Sequence, residues 1–199
     1  MFSELSGKIA GFLEETGAVK SSERVICQYG IKQGLNILFN LITILIIGLL
    51  MNMLWQSLVF TIFYIPLRSY AGGFHAKTPQ RCYLFSVCMN IAVLVIIRLF
   101  SSVEPVFSTL AAAGSLAVFI LAPVGTRNKP LDKTERLVYR QKTIMLLAAE
   151  LIIYLVLLFF HLKETAAAAA MALLALGFML VMGSIKLYHE KHTAGKQIR

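Results

Sequence analysis

GLNILFNLITILIIGLLMNMLWQSLVFTIFYIPL, residues 34–67, decides how the chain is threaded. It is almost uninterrupted Leu, Ile, Phe and Met, with Asn36, Asn40 and Thr43 as the polar exceptions of its first half. As one kinked helix it would send everything after it to the far side of a bilayer. As two, with a turn near Met51 to Leu54, it returns the chain to the side it came from. We take it as two helices, the second of them short. Trp55 stands where an interfacial anchor belongs. Pro66 stands where the second helix should end, because proline removes a helix hydrogen bond and clashes with the preceding turn. Asn36, Asn40 and Thr43 are residues of the kind that bond across helices in a membrane.

Outward from this stretch, the 199 residues are 58% hydrophobic and only 15% charged, and the mean hydropathy is +0.74. A soluble helical core of this length needs far more polar surface. Several further runs approach the roughly 20 apolar residues that cross a bilayer. The sequence therefore predicts an all-α, polytopic helical membrane protein with one membrane domain at 34–185. Six transmembrane helices are expected, at about 34–51, 53–67, 82–99, 103–122, 143–160 and 166–185. Residues 1–33 precede them as amphipathic cytosolic or interfacial helices. Phe2, Leu5, Ile9 and Phe12 recur at helical spacing, with Glu4, Lys8, Glu14 and Glu15 between or beyond them. Gly17 interrupts, and a second short helix is expected from Ser22 to Lys32, with Val25, Ile26 and Tyr29 on one side. The small residues Ala111 to Ser115 offer the fourth span a closely packable face. Ala166 to Ala170 is a strong helix former without a functional signal. Residues 186–199 read as a basic cytosolic tail.

The net charge of +9 would suggest nucleic acid in a soluble protein. Here the basic residues cluster between apolar runs, as orientation charges do, so no nucleic-acid partner is expected. Six spans leave every Lys and Arg except Arg98 and Lys163 on one side. That skew puts both termini and both polar segments, 68–82 and 122–142, in the cytoplasm, against anionic lipid headgroups. The N-terminus lacks a signal peptide's basic start and unbroken apolar core. Three cysteines without a CxxC pair argue against a disulfide framework.

The polar segment RSYAGGFHAKTPQRC, residues 68–82, carries the chemistry. Thr78 can cap a helix whose first residue is Pro79, which puts Cys82 in the first turn. A helix N-terminus favours a thiolate, and Arg81 and Arg68 add to that. The Gly72–Gly73 pair allows a sharp turn that brings His75 back toward the thiol as its base. Backbone N–H groups near the glycines or at the helix start are oxyanion-hole candidates. Singly, each residue has a duller reading: a packing cysteine, a surface histidine, an ordinary turn. Their conjunction in a membrane-edge loop makes the Cys82–His75 dyad the leading candidate over Cys27 and Cys88. His75, Cys82, His161, His189 and His192 do not group as a zinc motif, so neither metal nor cofactor is expected.

The segment resembles the accessory gene regulator B family of Gram-positive bacteria. The resemblance lies in Arg68, Gly72, Gly73, His75, Ala76 and Cys82, and in Pro123 to Leu131 with Asn128, Lys129, Pro130 and Leu131 intact. It extends through hydropathy and basic loops over essentially the whole chain. It implies a membrane cysteine endopeptidase that processes a quorum-sensing peptide precursor with an amphipathic leader and an acidic C-terminal tail. Cys82 would form an acyl-enzyme thioester as the tail departs, with His75 as base and acid. A Cys or Ser of the precursor would then close a thiolactone or lactone ring. The resemblance also implies a homodimer. Arg81, Arg127, Asn128, Lys129, Lys133, Arg136 and Arg140 are candidate contacts for the acidic tail. Glu150 is an intramembrane acid about 10 Å deep, expected to pair structurally with Asn36 or Asn40. The competing class is a small-peptide transporter or exporter, with Glu150, Arg98 and residues 103–122 as its pathway. Activity surviving Cys82→Ala would favour it.

Overall fold

The computed structural model describes residues 2–74, 78–100, 104–125 and 132–196, with only the backbone given for 104 and 190–196. Seven α-helices carry them: α1 (Ser3–Glu15), α2 (Arg24–Leu50), α3 (Leu54–Ala71), α4 (Pro79–Phe100), α5 (Glu104–Leu121), α6 (Lys133–Phe159) and α7 (Lys163–Lys196). A 3-10 turn, Ser21–Glu23, leads into α2.

The turn that decides the threading lies at Met51–Met53. Asn52 takes a left-handed backbone (φ 53°), a conformation Asn tolerates better than most residues. The Met53 N–H closes the turn on Gly48 O at 2.7 Å. Gly48 lets α3 return tightly, since a Cβ there would sit 2.7 Å from the Ser57 Cβ. Successive helices then reverse direction, giving the bundle two ends. At one end the Arg98 guanidinium bonds the Met51 carbonyl, Trp55 Nε1 donates to Thr165 Oγ1, and Gln56 bonds Glu164. At the other, the loop end, Val124 N–H donates to Ala71 O, and Phe74 N–H to Met179 O.

Among the described residues, four helices, not six, are long and apolar enough to cross a membrane: Ser21–Leu50, Pro79–Phe100, Lys133–Phe159 and Lys163–His189. The six-span expectation fails at α3 and α5. Gln56, Ser57, Thr61 and Arg68 dilute the hydropathy of α3, and the first three are buried in protein. The apolar part of α5 is only Pro105–Leu121. Both short helices pack chiefly on α7.

α7 is the axis of the bundle. Ala166 to Ala170 are 0–2% exposed, and Leu173, Leu176 and Leu180 are fully buried. The alanine run, featureless in sequence, is thus surrounded, because only small side chains let neighbouring backbones approach so closely. The small face expected on residues 111–115 meets it: a Cβ on Gly114 would lie 2.5 Å from the Leu173 carbonyl, and one on Gly177 would lie 3.0 Å from Gly114 O.

The N-terminal region differs from expectation in two ways. α2 runs unbroken from Arg24 to Leu50, so the predicted short helix over 22–32 and the span from Gly34 are one element. α1 packs on α2 through its small face, burying Ser6 and Ala10 and setting Gly7 against Gln28. A 3.0 Å ion pair between Arg24 and Glu14 pins the two helices. Leu5 and Phe12 face outward, as do Val25, Ile26 and Tyr29 on α2.

Candidate functional site

The residues before His75 are held from three sides at the loop end. Gly72 adopts φ +75°, and a Cβ there would come within 2.3 Å of Val124 O. Glycine is therefore required by both backbone conformation and space. Gly72 also forms an isolated bridge with Val124, reached through the cis Ala122–Pro123 peptide. Gly73 (φ +119°) lies against α7, and Gly183 on α7 leaves room for it, since a Cβ at Gly183 would sit 2.8 Å from Gly73 C.

Arg68 ties this loop to α3. Its Nη1 donates to the Tyr64 hydroxyl at 2.5 Å and its Nη2 to Phe74 O at 3.0 Å. The guanidinium also stands 5.5 Å from the Tyr64 ring centroid. Arg68 thus bridges Tyr64 on α3 and the carbonyl of Phe74. Two loop N–H groups are already engaged, Gly72 N–H with Arg68 O and Phe74 N–H with Met179 O. Neither is a spare oxyanion donor in this arrangement.

α4 starts at Pro79 as the Thr-Pro signal implies. Thr78 O accepts the Cys82 N–H at 3.1 Å, and Thr78 Oγ1 accepts the Arg81 N–H at a long 3.4 Å. Cys82 occupies the first turn, half-buried. The next residue, Tyr83, donates to Thr43 Oγ1 on α2 at 3.2 Å and lies tilted against Phe39, with ring centroids 5.4 Å apart. Phe39 in turn meets Phe2, 5.7 Å away, so α1 is linked through α2 to the turn bearing Cys82. Cys27 is half-buried on α2, and Cys88 is exposed on α4.

His75, with Arg127, Asn128 and Lys129, lies outside the described residues. Arg81, Lys133 and Arg136 are exposed around the loop end. Arg140 is partly committed: its Nη1 donates to Ala122 O at 2.9 Å, and it stands 5.9 Å from the Phe119 ring. Two further cations flank the loop on aromatic faces, Lys142 over Tyr70 (5.0 Å) and Lys186 over Phe74 (5.2 Å). Among the described residues, no three His, Cys, Asp or Glu side chains form a metal-binding group.

Glu150 is buried, but the expected pairing with Asn36 or Asn40 is not found: Glu150 Oε2 has no hydrogen-bond partner among the described residues. The reason is topological. α6 packs on α3, α5 and α7, whereas α2 packs on α1, α3 and α4. Tyr64, Val124 and Gly183 escaped sequence reasoning. Tyr64 was findable, since it stands four residues before Arg68 on the same helix face. Val124 and Gly183 are brought in only by tertiary packing.

A model of the family described as accessory gene regulator B matches residues 6–182. A putative AgrB-like protein 2 of Clostridium perfringens is 30% identical over 149 residues, covering 71% of this chain and 69% of that protein. Accessory gene regulator protein B of Staphylococcus saprophyticus is 27% identical over 160 residues, covering 79% and 83%. Protein FsrB of Enterococcus faecalis is 29% identical over 110 residues, covering 54% and 46%. No solved structure matches.

Proposed function

Because the chain belongs to the accessory gene regulator B family, associated with quorum-sensing peptide processing, we propose that it is a membrane-embedded cysteine endopeptidase that trims and cyclises a signalling-peptide precursor. The Cys82 thiolate attacks the carbonyl joining the signal segment to its C-terminal tail. The C–N bond breaks, and the tail amine leaves with the proton that His75 took from the thiol. The acyl group stays on Cys82 as a thioester. A Cys or Ser side chain within the signal segment then attacks that thioester, closing the ring and returning the Cys82 thiol. Holding both reactants in one tethered peptide raises their effective concentration and favours ring closure over hydrolysis.

The observation that carries this proposal is the seat of Cys82. It stands half-buried in the first turn of α4, beside a glycine loop whose last described residue, Phe74, is tied through both its N–H and its carbonyl. The residue next to His75 is thereby fixed relative to α3 and α7. The charge pattern supports a cytoplasmic loop end. Arg68, Arg81, Arg140, Lys142 and Lys186 gather there, while Arg98 and Lys163 lie at the other end. The same cations suit an acidic tail. We assign both termini to that side and a homodimeric assembly to the working enzyme.

The test is mass spectrometry of the reconstituted protein with the small peptide encoded beside its gene, comparing wild type, Cys82→Ala and His75→Ala. A hydroxylamine-sensitive adduct on Cys82 with a released C-terminal fragment is expected in wild type alone. Intact peptide in every sample, with binding confirmed, would overturn the proposal and move weight to transport.

A further inference from the structure

The contacts of α2 place one of its polar residues opposite Cys82. Tyr83 on α4 sits between Phe39 and Thr43, so α2 and α4 run side by side in the same direction, with Asn40 level with Cys82. Ser57 on α3 donates to Ile44 O at 3.2 Å and fills the notch at Gly48. α3 therefore lies on the Ile44–Gly48 side of α2. At about 100° per residue, Asn40 points between the direction of Thr43, toward α4, and that of Gly48, toward α3. Cys82, one residue before Tyr83, stands half-buried in the first turn of α4. Asn40 and Cys82 thus lie at one level, at the loop end of the wedge between α2, α3 and α4.

Asn40 Oδ1 is buried there without a hydrogen-bond partner among the described residues. A buried amide oxygen is normally satisfied, and an extended peptide is a row of N–H donors. Asn90, deeper in the same wedge, also carries a buried Oδ1 without a partner among the described residues, but it is fully buried, its Nδ2 reaches Ser57 Oγ at 3.5 Å, and it stands about two turns of α4 from Cys82.

We propose that Asn40 is a substrate-binding residue, its side-chain oxygen accepting a backbone N–H of the peptide that lies across Cys82. This rests on the peptidase function proposed above. Attack on a carbonyl needs the reacting atoms held about 3–3.5 Å apart, and a fixed acceptor on the opposite wall would hold the peptide in that position.

The test uses the full chain in lipid nanodiscs and the synthetic peptide encoded beside its gene. In a Cys82→Ala background, Asn40→Leu should weaken peptide binding about 10-fold, the loss expected for one unmade hydrogen bond that leaves its partner unpaired. With Cys82 present, alkylation of the thiol by iodoacetamide, which needs no peptide contact, should stay within about two-fold of wild type. Unchanged binding overturns the proposal, as does alkylation that falls in step with binding, the mark of a merely structural role. If Asn40→Leu does not fold, Asn40→Gln moves the same amide by one methylene and should weaken binding likewise, and unchanged binding by it overturns the contact. The two proposals fail separately. An adduct formed at wild-type rate by Asn40→Leu removes the contact and keeps the peptidase. Asn40-dependent binding in a protein that never acylates Cys82 removes the peptidase and keeps the contact.

Discussion

α2 and α7 are about equally apolar, yet α2 buries only Gly48 among its residues, whereas most of the apolar stretch of α7 is buried. The difference is side-chain size. α2 is built of Leu, Ile and Phe, whose bulk keeps neighbours away and suits a lipid surround. α7 is built of Ala and Gly with interspersed Leu, and other helices close around it. In a bilayer, apolar character alone does not drive a helix inward, because lipid is as apolar as leucine. Close approach of backbones does, and only small residues permit it.

The sharpest way to break this contrast is Gly114→Val. Its Cβ would meet Leu173 and Leu174 backbone atoms at 2.5 Å, which no rotamer change can relieve. We expect a loss above about 3 kcal/mol, or failure to recover folded protein, read as thermal unfolding in detergent. Wild-type stability would remove α7 from the centre. Next is Ala169→Leu at a fully buried position, with an expected cost of about 1–3 kcal/mol from overpacking. Arg98→Ala takes the cation from the carbonyl end of α2 and should cost about 0.3–1 kcal/mol by the same assay. The smallest effect is expected for Ile46→Ala, half-exposed on α2, within about 0.5 kcal/mol. If it matched Ala169→Leu, the face of α2 would be covered rather than lipid-facing.

Much of this architecture was legible in the sequence. The turn at Met51–Met53, the helix start at Pro79, the glycine-dependent loop and the small face on α5 all follow from local chemistry, which acts over a few residues. What stayed hidden depends on neighbours. The run of Leu, Ile and Phe in α3 reads as a short span, yet Gln56, Ser57 and Thr61 lower its hydropathy and are buried against other helices. The Ala166–Ala170 run looked empty because its meaning is the room it leaves. Glu150 was assigned the wrong partners because nothing in sequence tells that α6 and α2 do not meet. At the candidate site, Arg68 and Cys82 were visible by type and spacing. The orphaned oxygen of Asn40 became visible only once α2, α3 and α4 were side by side.

The hydrogen bonds at the two ends of α3 have a further consequence. Trp55 is tied to Thr165, and Phe74 to Met179, so α3 and α7 are bolted together at top and bottom. Between those bolts α7 is an unbroken helix, a rod of about 21 Å at 1.5 Å per residue. It acts as a ruler. The depth of the glycine loop below the opposite surface is set by a count of residues in α7, whatever the loop's own composition. One residue added between Thr165 and Met179 would lengthen the rod by about 1.5 Å and turn its lower half by about 100°, swinging Gly183 out from under Gly73. The height of the chemistry in the membrane is thus written in a helix that need not touch the reacting atoms.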